Sequence, residues 1–235
     1  MAPHPKRLIV TIDGPAGTGK SAVSGLLADR LGVQCLDTGA MYRSVALLAI
    51  RAEADPGDAE SLLRLIDRHD IGFDWTQRPP VATIDGSPVE ASIRDAEVGR
   101  VVSIVAAVPA VRAALVEAQR CIAAERLQLV SEGRDQGSVV FPDAEVRFFL
   151  TADPGVRVGR RVMQLQQAGR EVDPQAVRAE IDTRDAIDSS RSVGPLMCPE
   201  GAIEIDTSAL TLDEVVDRLE QEVRSTVADR VRPSC

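Results

Sequence analysis

Ten residues near the start of the chain, IDGPAGTGKS from Ile12 to Ser21, constrain its fold more than any other stretch. Gly14, four residues, Gly19, Lys20 and Ser21 make the spacing of a phosphate-binding loop. An apolar run, Leu8 to Ile12, precedes it and reads as a buried strand. An apolar-periodic segment, Ala22 to Leu31, follows and reads as a helix ending at Gly32. In strand–loop–helix context, glycines let backbone N–H groups turn inward around an anion, and the helix N-terminus adds partial positive charge. Gly14, Pro15, Ala16, Gly17, Thr18, Gly19, Lys20, Ser21 and Ala22 are therefore the expected ATP-binding residues. Lys20 is expected to reach the β- and γ-phosphates, and the Ser21 hydroxyl to hold Mg²⁺.

Further apolar runs follow at Val33–Leu36, Leu127–Ser131, Val146–Leu150 and Ala202–Ile205, short and continuous as buried parallel strands are. Between them, helical periodicity covers 40–52, 95–107, 109–124 (with Pro109 at its start), 154–168, 174–187 and 211–228. Residues 53–60 read as a polar connection. From Ile71 to Ile93, Pro79, Pro80 and the turn dipeptide Asp85-Gly86 separate short apolar pieces, which predicts a small antiparallel hairpin unit inserted into an α/β chain. Strands alternating with helices after a phosphate loop imply a doubly wound parallel sheet, with ligands beyond the carboxyl ends of the strands.

The chain of 235 residues fits one core with insertions, and scarce aromatics leave Leu, Val, Ile and Ala to fill it. A formal net charge of −9 argues against nucleic acid as a partner and requires any anion site to be a local arginine cluster. Cys35, Cys121, Cys198 and Cys235 have no metal-like spacing and read as reduced thiols. No run spans a membrane and MAPHPKRLIV carries no secretory core, so a cytoplasmic protein with no membrane partner is expected.

Three motifs fall at or near strand ends. LDTGAMYR (Leu36–Arg43) offers Thr38 as a helix cap and Arg43 as a fork for a phosphate. SEGRDQGSVVFPD (Ser131–Asp143) presents Arg134 and Asp135 between small residues. RDAIDSSR (Arg184–Arg191) puts Arg184, Asp188 and Arg191 on one helix face, a spacing that equally describes a solvated, salt-bridged surface.

Together with SIVAAVPAVRAALVEAQR (Ser103–Arg120), the continuation AEVRFFLTA and IDTS (Ile205–Ser208), these stretches resemble the bacterial cytidylate kinases in order and spacing from about residue 7 to 220. DGSPVEASIR (Asp85–Arg94) looks like part of the extra small sheet by which that family differs from other nucleoside monophosphate kinases. The resemblance implies a P-loop core (1–38, 106–152 and 171–235), an acceptor region (39–105) with an insert at about 65–95, and a helical lid (153–170). It implies transfer of the γ-phosphoryl of ATP to CMP or dCMP, with Mg²⁺ entering alongside ATP. Arg43, Arg134 and Arg191 are expected on the acceptor phosphate, Arg184 and Asp188 on the sugar, and Ser103, Arg112 and Asp135 on the cytosine edge. Thr38 and Tyr42 are expected to line the same pocket. In the lid, Arg157, Arg160 and Arg161 are the cationic candidates, with Arg157 and Arg161 expected to touch ATP, so that Lys20, Arg134, Arg157 and Arg161 form the catalytic set.

The chemistry of the acceptor supports that assignment. Cytosine offers an amino donor at N4 and acceptors at N3 and O2, which suits a serine and a carboxylate on one side and an arginine on the other. Uracil inverts the pattern. Glu132, Gln136, Ser138 and Thr38 depart from the commonest family residues, and Gln136 is expected to put a polar side chain beside Asp135 and modestly alter base selectivity. Another small-molecule P-loop kinase, or a nucleotide-binding protein without transfer activity, are the rival readings. No obligate partner chain is suggested, and a monomer is expected.

Overall fold

The computed structural model describes residues 7–167 and 169–231. Cys235, Ala168 at the expected end of the lid helix and the first six residues lie outside the described residues.

Five parallel strands form the central sheet: β1 (Leu8–Asp13), β2 (Gln34–Asp37), β6 (Gln128–Glu132), β7 (Val146–Thr151) and β8 (Ile203–Asp206). Their spatial order is β2-β6-β1-β7-β8, all parallel, so β1 lies at the centre and the chain leaves it in both directions. Alternate residues serve opposite faces. Ile9, Leu36 and Leu129 face one apolar cluster, while Val10, Val130, Phe148 and Leu150 face another. The second face is covered by α1 (Lys20–Leu31) and α8 (Leu212–Val231), through Val23, Leu27, Val216 and Leu219. The first is covered by α2 (Thr38–Arg51), α4 (Ala96–Ala107) and α5 (Pro109–Glu125). Both faces are apolar, which is why these strands read as unbroken apolar runs.

The insert holds α3 (Ala59–Arg68) and a three-stranded antiparallel sheet, β3 (Ile71–Asp74), β4 (Val81–Ile84) and β5 (Ser87–Pro88). Asp85-Gly86 is the turn between β4 and β5, with both residues at positive φ. The helix α3 is new relative to the sequence reading, which ended its polar connection at residue 60. Asp58 caps it, accepting from Ser61 N at 3.1 Å, and Leu62 is fully buried. Among the described residues, no single helix is long and apolar enough to cross a membrane.

Two helices follow β7: α6 (Pro154–Gln167) and α7 (Pro174–Ser190). They meet through a small apolar cluster of Val158, Val177 and Ile181, separate from the two main clusters.

Candidate active site

The carboxyl ends of β1, β2 and β6 open onto a cleft of about 340 Å³, walled by α2, α4, α6 and α7. At its floor the loop after β1 carries Gly14, whose φ is +147°. A Cβ there would sit 2.2 Å from the Leu150 carbonyl oxygen, so only glycine lets the loop turn against β7. The loop ends at Gly19, and α1 begins there with no side-chain cap. Its first N–H groups are left for an anion. Lys20 is buried and folded back, donating to the Pro15 carbonyl at 2.7 Å and to Thr18 Oγ1 at 3.3 Å. Burial, then Arg134, push its pKa well below the ordinary lysine value. Ala16, Gly17, Gly19, Lys20, Ser21 and Ala22 line the cleft. Gly14, Pro15 and Thr18 do not line it; Thr18 Oγ1 donates to the Pro15 carbonyl at 3.1 Å within the loop.

Across the cleft stand the arginines. Arg43, Arg134, Arg184 and Arg191 all line it. Burial first, and neighbouring cations next, lower the pKa of Arg184 to about 9. Burial, then Arg94, lower that of Arg43 to about 10. Arg191 is lowered too, by burial and by Arg112. Asp188 is the shared counter-ion: it accepts from Arg134 Nε at 2.9 Å and lies 3.4 Å from Arg191 Nη1. Nε of Arg184 and both Nε and Nη2 of Arg191 are buried with no hydrogen-bond partner. Buried donors of this kind are costly unless something accepts from them.

Beside them, Arg112 and Asp135 form a charge-paired hydrogen bond with both side chains almost fully buried. The Arg112 guanidinium lies 5.4 Å from the Tyr42 ring centroid, and Ser103 lines the same wall. Gly194, on the loop after α7, closes over this pair.

At the β2 and β6 ends, Asp37 and Glu132 are register partners, so two carboxylates meet at the cleft edge. Glu132 accepts a hydrogen bond from Ser21 Oγ. Burial, then Asp37, raise its pKa to about 7. The neighbouring Asp13 is raised to about 6, mainly by burial, and accepts from the Gln136 and Gly137 N–H groups at 2.8 and 2.7 Å. It ties the phosphate loop to the Arg134–Asp135 turn.

Several expectations are revised by these contacts. Asp37, not Thr38, caps α2, accepting from Ala40 N at 3.0 Å, while Thr38 Oγ1 donates to the Glu132 carbonyl at 2.8 Å. Gln136 does not face the cleft: its Oε1 accepts from Ser131 Oγ at 2.8 Å and its Nε2 donates to Gln119 Oε1 at 3.2 Å. Its side chain braces a π-helical turn, Gln136–Val140, from within the core. Arg157 lies outside the cleft lining; it donates to the Ala16 carbonyl at 3.0 Å and pairs with Asp185. Arg160 and Arg161 do line the cleft, Arg160 donating to Thr207 O at 2.6 Å and Arg161 to Gln164 Oε1 at 2.8 Å. Asp37, Asp185 and Gly194 carry no role in the sequence reading, and Glu132 enters it only as a departure from the commonest family residue.

A family model described as "Cytidylate kinase" matches residues 10–225. A cytidylate kinase of Nocardia farcinica is 43% identical over 221 residues, covering 94% of this chain and 95% of that protein. One from Caldanaerobacter subterraneus subsp. tengcongensis is 42% identical over 222 residues, covering 94% and 97%. A bifunctional pantoate ligase/cytidylate kinase of Synechococcus sp. is 42% identical over 228 residues, 96% of this chain but 46% of that longer protein. With an uncapped phosphate loop facing a buried arginine cluster, and this likeness running through nearly its whole length, the chain belongs to the cytidylate kinase family.

Proposed function

We propose that the chain transfers the γ-phosphoryl group of ATP to CMP or dCMP, giving ADP and the corresponding diphosphate. The observation that carries this reading is the cluster of Arg43, Arg134, Arg184 and Arg191, with pKa values of Arg43, Arg184 and Arg191 depressed by burial and with orphaned N–H donors on Arg184 and Arg191. Such a cluster is short of negative charge, and a nucleoside monophosphate supplies it. Each charge-assisted bond so gained contributes on the order of 1.5–3 kcal/mol.

No protein nucleophile is required. The acceptor phosphate oxygen attacks the γ-phosphorus in line, and the protein aligns two polyanions and balances the charge between them. In this reading Gly14 to Ala22 cradle the donor phosphates, and Lys20 turns from Pro15 to the β- and γ-phosphates. Arg43, Arg134 and Arg191 take the acceptor phosphate, and Arg184 and Asp188 the sugar. Thr38 and Tyr42 line the pocket, while Ser103, Arg112 and Asp135 read cytosine, for which a carboxylate facing N4 and a guanidinium facing N3 or O2 are complementary. Arg161 and Arg160 are the lid cations. The division proposed is a core of 1–38, 106–152 and 171–235, an acceptor region of 39–105 and a lid of 153–170. The small apolar contact between α6 and α7 suits a segment that closes over ATP and excludes water.

Mg²⁺ fits the residues present. Ser21 Oγ donates to Glu132, and burial, then the adjacent Asp37, raise the Glu132 pKa, which a cation at this point would relieve. One hydroxyl with one or two carboxylates, the rest being phosphate oxygens and water, is an ordinary Mg²⁺ set. Bound there, the ion would neutralise charge on the donor phosphates.

The reading is tested by ADP release with ATP and Mg²⁺, offering CMP, dCMP, UMP, AMP and GMP separately, each against Lys20→Ala. Turnover confined to CMP and dCMP is the expected result. Comparable UMP turnover would remove the roles of Arg112 and Asp135, and no turnover on any acceptor would end the kinase reading.

A further inference from the structure

We propose that Asp185 and Arg157 are positioning residues that clamp one residue of the phosphate loop, Ala16, and thereby couple acceptor binding to the donor site; this rests on the phosphoryl-transfer reading above. Ala16 lines the cleft within that loop. Its N–H donates to Asp185 Oδ1 at 3.0 Å, and its carbonyl accepts from Arg157 Nη1 at 3.0 Å. The same Nη1 donates to Asp185 Oδ2, which closes a ring of three polar contacts around the two peptide groups that flank the Ala16 Cα. Both side chains are largely withdrawn from water, at 10% and 18% exposure for Arg157 and Asp185. Charge-assisted bonds in such surroundings are short and directional, and here they fix the orientation of both peptide groups flanking Ala16.

The two ends of the clamp lie on different parts of the machinery. Arg157 sits in the first turn of α6, the helix whose Arg160 and Arg161 line the cleft. Asp185 follows Arg184 on α7, and Asp188 of the same helix binds Arg134. One residue advances a helix by about 100°, so α7 presents Arg184 and Asp188 to the acceptor side and Asp185 to the phosphate loop. A small rotation or shift of α7 on acceptor binding must therefore be felt at Ala16. Asp185 is also a negative charge beside a site for phosphates, and Arg157 is what neutralises it.

The experiment measures, by calorimetry, the affinity of a non-hydrolysable ATP analogue with and without CMP, and of CMP with and without the analogue, alongside kcat and KM. It uses wild type, Asp185→Asn and Arg157→Lys. The wild type is expected to bind each ligand more tightly in the presence of the other, by a factor within the usual allosteric range of roughly 5–150. In Asp185→Asn that factor should fall towards one, and kcat should fall by about tenfold or more through misplacement of the loop. KM for CMP should change by about twofold or less, since none of the acceptor contacts is removed. Arg157→Lys keeps the charge but loses the fork, and should reduce the coupling in the same direction. A wild-type factor of one, or folded variants with wild-type coupling and kcat and only a lowered Tm, would overturn the clamp. So would failure of both variants to fold, which would make the pair a structural staple. A wild type that turns over no CMP would overturn the functional reading itself, a result distinct from an active wild type matched by its variants.

Discussion

Gly194 offers a direct check on the base-reading role proposed for Arg112 and Asp135. It lies on the loop after α7 with φ at +59°, and a Cβ there would sit 2.2 Å from Asp135 Oδ2 and 2.5 Å from Arg112 Nη2. Ordinary carbon–oxygen contact needs on the order of 1 Å more than this, so in Gly194→Ala either the loop or the carboxylate must move. The loop resists: Leu196 N donates to the Asp188 carbonyl at 2.8 Å, which pins it to the end of α7. The carboxylate can move only by leaving Arg112, and both partners are almost fully buried.

Two costs follow. A non-glycine residue in the left-handed region adds about 1–2 kcal/mol. In the proposed reading, displacement of Asp135 removes one charge-assisted contact to the base, about 1.5–3 kcal/mol, which converts to a rise in the KM for CMP of roughly 10- to 100-fold. Steady-state kinetics on CMP and UMP, with thermal unfolding in parallel, separate the two. The expected result is a lower Tm, a raised KM for CMP and a smaller CMP-to-UMP preference. A lowered Tm with KM unchanged within about twofold would show that the loop yields and that Gly194 does not hold the Arg112–Asp135 pair in place.

Three further outcomes are expected. Gln136→Ile strands Ser131 Oγ and Gln119 in the core, so it should destabilise by about 1–3 kcal/mol in denaturant unfolding while the CMP-to-UMP ratio stays at the wild-type value; a changed ratio would return Gln136 to the base site. Arg184→Leu removes a half-buried cation that desolvation and neighbouring arginines penalise, so the free protein should melt at a higher temperature while losing the Tm increase that saturating CMP gives wild type, and a lower Tm for the free variant would contradict the charge balance described. Glu132 has its pKa raised from 4.5 to about 7, so its contribution to stability is present below about 4.5 and is lost as pH rises through 7; Glu132→Gln should therefore gain Tm relative to wild type between pH 5 and pH 8, and parallel Tm profiles would exclude that shift.

What the chain discloses before folding depends on whether the determinant is local. The phosphate loop is local: its glycines, lysine and serine sit within eight residues, and the strand and helix around it are adjacent in sequence. The short apolar strands and the Asp85-Gly86 turn are local for the same reason. The helix α3 is equally legible, with Asp58 as a cap and Leu62, Leu65 and Ile66 on one stripe, but its cap and first two residues lie inside the stretch that reads as a polar connection. The strand order β2-β6-β1-β7-β8 is not local, and neither are the contacts that depend on it. Asp37 and Glu132 become neighbours only because β2 pairs with β6. Gln136 next to Asp135 in sequence invited a role in the base pocket, yet consecutive side chains at that turn diverge, one into the cleft and one into the core.

The segment Arg184–Arg191 shows the limit most clearly. Charges at a spacing of four and three describe a solvated helix face as well as a binding face, and no count of residues separates the two. Burial separates them. Arg191 and Asp188 have side chains only 3% and 5% exposed, where a surface face would leave them in water. Asp185, off that face, looked like a bystander to the motif. It contacts Ala16, 169 residues away in the chain, and only the folded register of α7 against the phosphate loop assigns it a partner. A helix that carries charge on two adjacent faces, each meeting a different wall of one cleft, has little freedom to move at one wall without moving at the other.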